Sequence, residues 1–286
     1  MEPNIVFSHV TKTYKGGVTA LEDVSFSVGS GVFGLLGHNG AGKSTLMKAL
    51  VTVEPPNSGA IQVCGFDTVR QGRAVRRRLG YLPQELPMYP SLSVRDFLRY
   101  MGELKGLRDK SQVENVLAQV EMQDFARRKI GQLSGGMRRR VGIAQALLGD
   151  PAFLIFDEPT VGLDPEERIH FRNLFSQAAR DRLVLLSTHI IEDVQSVCDR
   201  LVVIHHGQIL FTGTPEQLIA SAAGHVGVFW EKDETQEQGL HITARVNTSR
   251  GVRCRAVSDI LPPFAEPAEP TLEDAYLYLI SREAVQ

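Results

Sequence analysis

Short apolar runs separated by turn-forming residues characterise the beginning of the chain. Ile5–Phe7, Val24–Val28 and Ile61–Val63 have the length and composition of strands in an antiparallel sheet. The apolar run Val32–Leu36 predicts a further strand, and Ser44–Val51, which follows a glycine-rich turn, predicts a helix. The N-terminal part of the chain is therefore expected to combine strands with at least one helix.

The pattern changes between about residues 86 and 150, where apolar positions follow a helical period and strand signals almost disappear. Phe153–Phe156 and Leu183–Leu186 are then continuous apolar runs, which suit parallel strands buried on both faces. Glu166–Arg180 lies between them and is expected to be the crossover helix. The segment Leu201–Phe211, with His-Gly near its middle, predicts a hairpin.

Patterning is weaker beyond about residue 221. Val226–Trp230 and His241–Val246 predict strands of a small sheet, and a helix is expected at Leu272–Ile280. The apolar face of that helix would comprise Leu272, Ala275, Tyr276 and Leu279. We therefore divide the chain into a main domain, residues 1–220, and a small C-terminal α+β region, residues 221–286, with an accessory or regulatory role.

Composition narrows the class of protein. The 286 residues are 43% hydrophobic and carry a net charge of -2, which is ordinary for a folded protein and gives no indication of a nucleic-acid partner. Three cysteines without CxxC spacing indicate reduced thiols and no zinc site. No stretch reaches the roughly 18 apolar residues that span a bilayer, and the N-terminus lacks the features of a signal peptide. A cytoplasmic location is expected.

Two glycines four residues apart, followed by Lys and Ser, form the most informative motif in the chain. Glycines let successive backbone N–H groups turn inward around a phosphate. Lys43 would place its charge on the β- and γ-phosphates, and the Ser44 hydroxyl would ligate Mg²⁺ at the start of a helix. The predicted nucleotide-binding loop comprises Gly37, His38, Asn39, Gly40, Ala41, Gly42, Lys43, Ser44 and Thr45.

Two carboxylates end the apolar run Phe153–Phe156. Asp157 is positioned to reach Mg²⁺ through water, and Glu158 to polarise an attacking water as a general base. Alone, such a pair could equally be an N-cap followed by an acid in the first turn of a helix.

The segment Leu133–Met137 opens another helix with a serine followed by two glycines. Ser134 is a good N-cap, and Gly135 and Gly136 would leave the helix N-terminus open to an anion. The arginine run that follows, residues 138–140, is interpreted as a solvated helix face.

Taken in order, these motifs resemble the ATP-binding subunit of an ABC transporter, from residue 3 to about residue 217. The resemblance implies a P-loop NTPase fold of the α/β class: a parallel sheet, an antiparallel β subdomain and an inserted helical subdomain. It also implies further roles: Tyr14 stacking on adenine, Gln84 sensing the metal and the membrane partner, Asp164 contacting a second subunit, and His189 holding the γ-phosphate. Individually, each has a simpler explanation: strand packing for Tyr14, a loop end for Gln84, a helix start for Asp164 and a core histidine for His189.

The resemblance also supplies a mechanism. Two copies, identical or closely homologous, would face each other head to tail. ATP with Mg²⁺ would be held between the phosphate loop of one and Ser134, Gly135 and Gly136 of the other. Transmembrane permease subunits would receive the motion at the cytoplasmic face of the membrane. His38, Met137 and the segment Pro270–Tyr276 are similar to the bacterial subset that exports drugs, lipids, ions or natural products.

Other members of the same family remain as alternatives. An importer ATPase commonly carries a longer C-terminal domain than the one expected here. A soluble ATPase, such as an iron-sulfur assembly factor, would carry the same motifs without a membrane partner. The substrate cannot be read from the chain, since it would bind to the permease subunits.

Overall fold

The computed structural model describes residues 4–179, 182–231 and 239–283. The chain divides into two compact units, Met1–Ile209 and Leu210–Gln286. This division falls before the expected domain boundary at residues 220 and 221, because helix α8, Pro215–Ser221, packs against helix α9, Leu272–Glu283, within the second unit.

An antiparallel sheet lies near the N-terminus. Its strands, in the order β2-β1-β4-β5, are β1 (Ile5–Thr13), β2 (Thr19–Val28), β4 (Ser58–Val63) and β5 (Phe66–Asp67). Ile5 and Phe7 pair across β1 with both neighbours, and their side chains lie in the core cluster of the unit. The expected antiparallel β subdomain is confirmed.

A second, six-stranded sheet has the order β10-β9-β3-β8-β7-β6. Its strands are β3 (Gly31–Leu36), β6 (Leu79–Leu82), β7 (Phe153–Asp157), β8 (Leu183–Thr188), β9 (Arg200–His205) and β10 (Gln208–Gly213). β3 pairs in parallel with β8 and β9, and β7 with β6 and β8. β7 and β8 are buried along their whole length, which explains their continuous apolar sequences. Sequence patterning did not predict β6.

The first unit also contains helices. They are α1 (Lys43–Leu50), α2 (Gly72–Arg78), α3 (Val94–Leu104), α4 (Ser111–Gln119), α5 (Gly135–Leu147), α6 (Pro165–Ala178) and α7 (Ile191–Val197). α3, α4 and α5 pack against one another and form the helical subdomain expected between residues 86 and 150. The predicted crossover helix is α6; its expected last residue, Arg180, lies outside the described part of the chain. The predicted α/β P-loop fold is confirmed.

The second unit contains a small sheet with the order β12-β13-β11-β14. Its strands are β11 (Val226–Trp230), β12 (His241–Thr248), β13 (Gly251–Val257) and β14 (Glu266–Pro267). α9 packs on β12 and β13. Leu272, Ala275 and Tyr276 are buried as expected, whereas Leu279 is only partly buried.

Asp274 of α9 is also buried, with 1% of its surface exposed, although it is charged and was not part of the predicted apolar face. Its carboxylate accepts hydrogen bonds from Arg255 Nε at 2.8 Å, Thr271 N at 2.8 Å and Thr243 Oγ1 at 2.7 Å. Burial alone would raise the pKa of Asp274, but the hydrogen bonds from Arg255 and Thr271 outweigh it and the pKa lies below its ordinary value. One side chain therefore ties the start of α9 to β12 and β13.

Among the described residues, no helix combines the length and the apolar character that crossing a bilayer requires.

Candidate functional site

The phosphate loop connects β3 to α1, at the carboxyl end of a strand buried in the parallel sheet. Gly40 and Gly42 have φ values of 87° and 110°, in the region that favours glycine. A Cβ at Gly42 would also meet Ala20 O at 2.5 Å. At least one of the glycine positions that define the motif is thus required by the local backbone and by its neighbours.

Lys43 lies inside this loop with 5% of its surface exposed. Its ammonium group donates hydrogen bonds to the carbonyl oxygens of Gly37 and of His38, the latter at 3.2 Å. It also lies 3.3 Å from Glu158 Oε1, so the phosphate-loop lysine and the candidate general base form a buried ion pair.

The two carboxylates at the end of β7 have different surroundings. Asp157 Oδ1 is buried and has no hydrogen-bond partner among the described residues. Burial raises the pKa of Asp157, as expected for a carboxylate whose charge is incompletely compensated. Glu158, 4% exposed, uses its second oxygen to contact His189 Nδ1 at 2.9 Å. A buried carboxylate oxygen without a partner, next to a phosphate loop, fits the oxygen ligands that Mg²⁺ prefers.

A cavity of about 150 Å³ opens over the loop. It brings the phosphate loop together with Gln84 and Glu158, residues far apart in sequence. Its lining comprises Ala20, His38, Asn39, Gly40, Gly42, Lys43, Ser44, Thr45, Gln84 and Glu158. Seven of the nine predicted loop residues, Gln84 and Glu158 therefore line one cavity.

Tyr14 lies at the side of this site. Its hydroxyl donates a hydrogen bond to Glu54 Oε2 at 2.8 Å and lies 3.3 Å from Thr45 Oγ1. The bond from Tyr14 holds the pKa of Glu54 below its usual range, with a further contribution from Lys48. The ring is 36% exposed, which leaves part of its surface accessible.

Ser134, Gly135, Gly136 and Asp164 are not among the residues that line this cavity. Ser134 is the N-cap of α5, and its hydroxyl accepts a hydrogen bond from Met137 N at 3.2 Å. Asp164 caps α6 by accepting from Glu167 N at 2.8 Å. The capping functions expected of both residues are therefore present within the single chain.

The two glycines after Ser134 have different environments. A Cβ at Gly136 would overlap the Glu167 carboxylate of the same chain, so close packing from α6 explains that glycine. Around Gly135, by contrast, no atom of the described residues outside its chain neighbours and its own helix backbone lies within 4 Å of the position that a Cβ would occupy. The N-terminus of α5 is therefore open at Gly135.

Arg139 is a site residue that the sequence interpretation missed. The run at residues 138–140 was interpreted as a solvated face, which is wrong for Arg139. Its guanidinium donates to Gln84 O at 2.7 Å, to Pro159 O at 2.8 Å and to Glu158 O. Arg138, its neighbour, is exposed. The partners of Arg139 are backbone carbonyls, which no side-chain pattern reveals; α5 is thereby tied to the loops that carry Gln84 and Glu158.

Replacing Arg139 with Met should therefore lower the turnover number for ATP by about 10- to 100-fold, the scale of a misplaced catalytic group. Affinity for ATP should change only a few-fold, because the phosphate loop is not among the groups that Arg139 contacts. Steady-state kinetics and equilibrium nucleotide binding would separate the two effects. Arg138→Met is the matched control and should behave like the unmodified protein. A loss of ATP affinity as large as the loss of turnover would contradict the positioning role.

Comparison with known proteins shows the family of this chain. The sequence profile of the ABC transporter family matches residues 21–161. The chain is 40% identical over 210 residues to the ABC transporter ATP-binding protein NatA of Bacillus subtilis, covering 71% of this chain and 85% of the relative. It is 39% identical over 288 residues to a Nod factor export ATP-binding protein I of Burkholderia thailandensis, covering 98% and 88%.

A solved structure is similar as well. The dimeric structure of MJ0796, a bacterial ABC transporter cassette, superposes with a TM-score of 0.67 at 25% identity and covers 73% of this chain and 98% of that one. The matched profile residues run from β2 to the loop after β7, and they include the phosphate loop, Gln84, Ser134 and Glu158.

Proposed function

The chain belongs to the ABC transporter family of ATP-binding proteins, and from that premise we propose that it is the ATPase subunit that drives export through separate transmembrane permease subunits. Members of this family bind and hydrolyse ATP, and this chain is an ATPase. The observation that carries the ATPase part of this proposal is the buried ion pair between Lys43 of the phosphate loop and Glu158 at the end of β7. A lysine charge for phosphate and a carboxylate for water are two of the groups that ATP hydrolysis uses.

The roles of the individual residues follow from their positions. The phosphate loop binds the β- and γ-phosphates, with Lys43 as the cation and Tyr14 beside it for the adenine. Ser44, Asp157 and Gln84 would hold Mg²⁺, which when bound neutralises phosphate charge. Glu158 accepts a proton from the attacking water, and His189 lies on its other side to contact the γ-phosphate.

The ion pair between Lys43 and Glu158 sets the order of events. In the structure, Lys43 contacts Glu158 and donates to the carbonyls of Gly37 and His38. Bound phosphates offer Lys43 a stronger partner, because they carry more negative charge than one carboxylate. Glu158 Oε1 is then released to contact water while His189 still holds Oε2. Binding of ATP thus prepares the general base.

Dimerisation is a property of the family, and the structure supports a head-to-tail arrangement for this chain. Ser134 and Gly135 do not line the phosphate cavity of their own chain, and the N-terminus of α5 is open at Gly135. A helix N-terminus carries partial positive charge and can bind an anion. The γ-phosphate held by a second copy is the anion that we assign to it, with Asp164 in the contact between the copies.

A groove beside the helical subdomain supports a permease partner. It has a volume of about 850 Å³ and is lined by apolar residues with arginines among them. Pro83, adjacent to Gln84, contributes to it, as does Leu104, which is 65% exposed. A permease segment seated there would contact the loop that carries Gln84.

Export as the direction of transport rests on relatives described as Nod factor export ATP-binding proteins, and the cytoplasmic face of the membrane is the corresponding location. The region 221–286 would be accessory or regulatory, since none of the predicted nucleotide-binding residues lies within it.

Co-purification tests this function. The chain should be isolated from detergent-solubilised membranes together with a polytopic membrane protein encoded by a neighbouring gene. Leu104→Asp should reduce the recovered membrane protein several-fold while leaving the ATPase rate of the isolated chain unchanged. Val246→Asp, at an exposed apolar position in the second unit, is the matched control. Recovery of the chain in a soluble complex, with no membrane protein in any preparation, would instead favour a soluble ATPase such as an iron-sulfur assembly factor.

A further inference from the structure

Three histidines from two separate parts of the chain meet beside the phosphate loop. His38 belongs to the loop itself, whereas His205 ends β9 and His206 follows it in the turn to β10. One ring nitrogen from each lies within 4.8 Å of the other two. The ring centroids of His38 are 4.8 Å from His205 and 5.2 Å from His206. Nucleotide binding explains the main chain of His38 but none of these three side chains.

Hydrogen bonding places a proton on one nitrogen of the His38 ring. Its Nδ1 lies 2.7 Å from the carbonyl oxygen of Asn39. Because a carbonyl can only accept, Nδ1 carries a proton, and Nε2 is the ring nitrogen that can offer a lone pair to a ligand. His38 Nε2 is buried and has no hydrogen-bond partner within the described ranges. Metal-binding histidines show this same arrangement, in which one nitrogen donates to a carbonyl and the other faces the ion.

The backbone holds the two parts of the cluster in place. Gly207 N donates to Ala41 O at 2.9 Å, which joins the β9–β10 turn to the phosphate loop. Gly207 O in turn accepts from Glu22 N at 2.9 Å. His206 and Gly207 have φ values of 45° and 82°, both in the left-handed region. The histidines are thus presented by a fixed turn and a fixed loop rather than by mobile ends.

We propose that His38, His205 and His206 form a binding site for a divalent transition-metal ion that prefers imidazole, of which Zn²⁺ is the representative. Zinc–nitrogen bonds of 2.0–2.1 Å in a tetrahedral site place the nitrogens about 3.4 Å apart. The three nitrogens now lie within 4.8 Å of one another, so metal binding requires the rings, of which that of His206 is exposed, to come closer by side-chain rotation. A bound ion would link the phosphate loop to the β9–β10 turn through side chains, in addition to the existing backbone bond.

This site differs in chemistry from the one expected for Mg²⁺. Magnesium prefers oxygen ligands and is assigned to Ser44, Asp157 and Gln84, whereas three imidazole nitrogens suit Zn²⁺. The expectation of no zinc site rested on the spacing of the cysteines alone. His38 is too distant in sequence from His205 and His206 for any spacing rule to associate them.

Zinc titration of the full chain, nucleotide-free and without an affinity tag, tests the proposal. Competition against a chromophoric chelator should give one Zn²⁺ per chain, and Mg²⁺ should not compete. His206→Asn should weaken Zn²⁺ binding by at least about tenfold, since one ligand is lost. The variant leaves Asn-Gly at the turn, the pair that favours left-handed two-residue turns, so the hairpin is preserved. His9→Gln removes an exposed imidazole outside the cluster and should leave Zn²⁺ affinity unchanged.

Two further readouts make the test specific. Zn²⁺ should raise the thermal midpoint of the unmodified protein and of His9→Gln, but much less that of His206→Asn. In nitrogen NMR spectra, Zn²⁺ should shift Nε2 of His38 while Nδ1 remains protonated. Absence of stoichiometric Zn²⁺ binding would overturn the proposal. So would equal Zn²⁺ affinity in His206→Asn, which would place the ion elsewhere, for example at Glu158 and His189.

Discussion

Glu158→Gln should lower the rate of ATP hydrolysis by roughly two or more orders of magnitude, the usual scale for loss of a general base. Gln preserves the size of the side chain but cannot accept the proton of the attacking water. ATP binding should survive, because the phosphate loop and Asp157 are unchanged. Since the γ-phosphate is then retained, the variant should accumulate as an ATP-bound dimer and separate in ADP.

Light scattering after size-exclusion chromatography, run first with Mg-ATP and then with ADP, would measure this change in mass. Glu192→Gln, an exposed carboxylate at the start of α7, is the matched control and should hydrolyse ATP normally. Hydrolysis by Glu158→Gln close to the unmodified rate would remove Glu158 from the mechanism. An unchanged mass in both nucleotides, from a variant that binds ATP, would argue against the head-to-tail dimer.

Lys43→Ala should weaken ATP binding by about 100-fold, because it removes one or two charge-assisted contacts of about 1.5–3 kcal/mol with the phosphates. Titration of labelled ATP would measure the affinity. Lys110→Ala, an exposed lysine that precedes α4, should bind ATP normally. Near-normal affinity in Lys43→Ala would mean that this loop is not the ATP site.

The structure adds a complication to that experiment. Lys43 is also the buried partner of Glu158, and removing one member of a buried ion pair commonly costs about 3–5 kcal/mol of stability. Thermal unfolding should therefore accompany the binding measurement. The double variant Lys43→Ala with Glu158→Gln removes the stranded charge, so it should recover stability but not ATP affinity. A double variant that regained affinity would show that the single one had lost only its fold.

Local sequence patterns predicted the parts of the fold that depend on local burial. Phe153–Phe156 and Leu183–Leu186 are apolar throughout because both faces of β7 and β8 are covered, and they pair in parallel as expected. Strand β6 was missed because it has four residues, one of them Gly80, and a proline follows it directly. Gly80 is required by close approach of Ala146 O from α5, a contact that is distant in sequence.

In the candidate site, too, features set by consecutive residues could be predicted, whereas features set by contacts distant in sequence could not. The phosphate loop could be located because its chemistry is contained in consecutive residues. Arg139 could not, because its three acceptors are backbone carbonyls at residues 84, 158 and 159. The pairing of Arg255 with Asp274 was missed for a similar reason: Arg255 lies on a strand with polar and apolar alternation, and nothing nearby in sequence indicates its partner. The residue roles in ATP turnover remain predictions until the variants are measured.

The contacts of Asp274 also determine when the second unit can fold during synthesis on the ribosome. Residues Met1–Ile209 form a compact unit whose strands and helices are all translated before β11 begins. That unit can fold while the ribosome is still adding the remainder, as N-terminal domains generally do. Arg255 and Thr243, by contrast, must wait for Asp274, which is translated after the two strands that carry them. The small sheet therefore emerges without its covering helix, so early termination should expose its apolar surface to proteases and chaperones while leaving the ATPase unit formed.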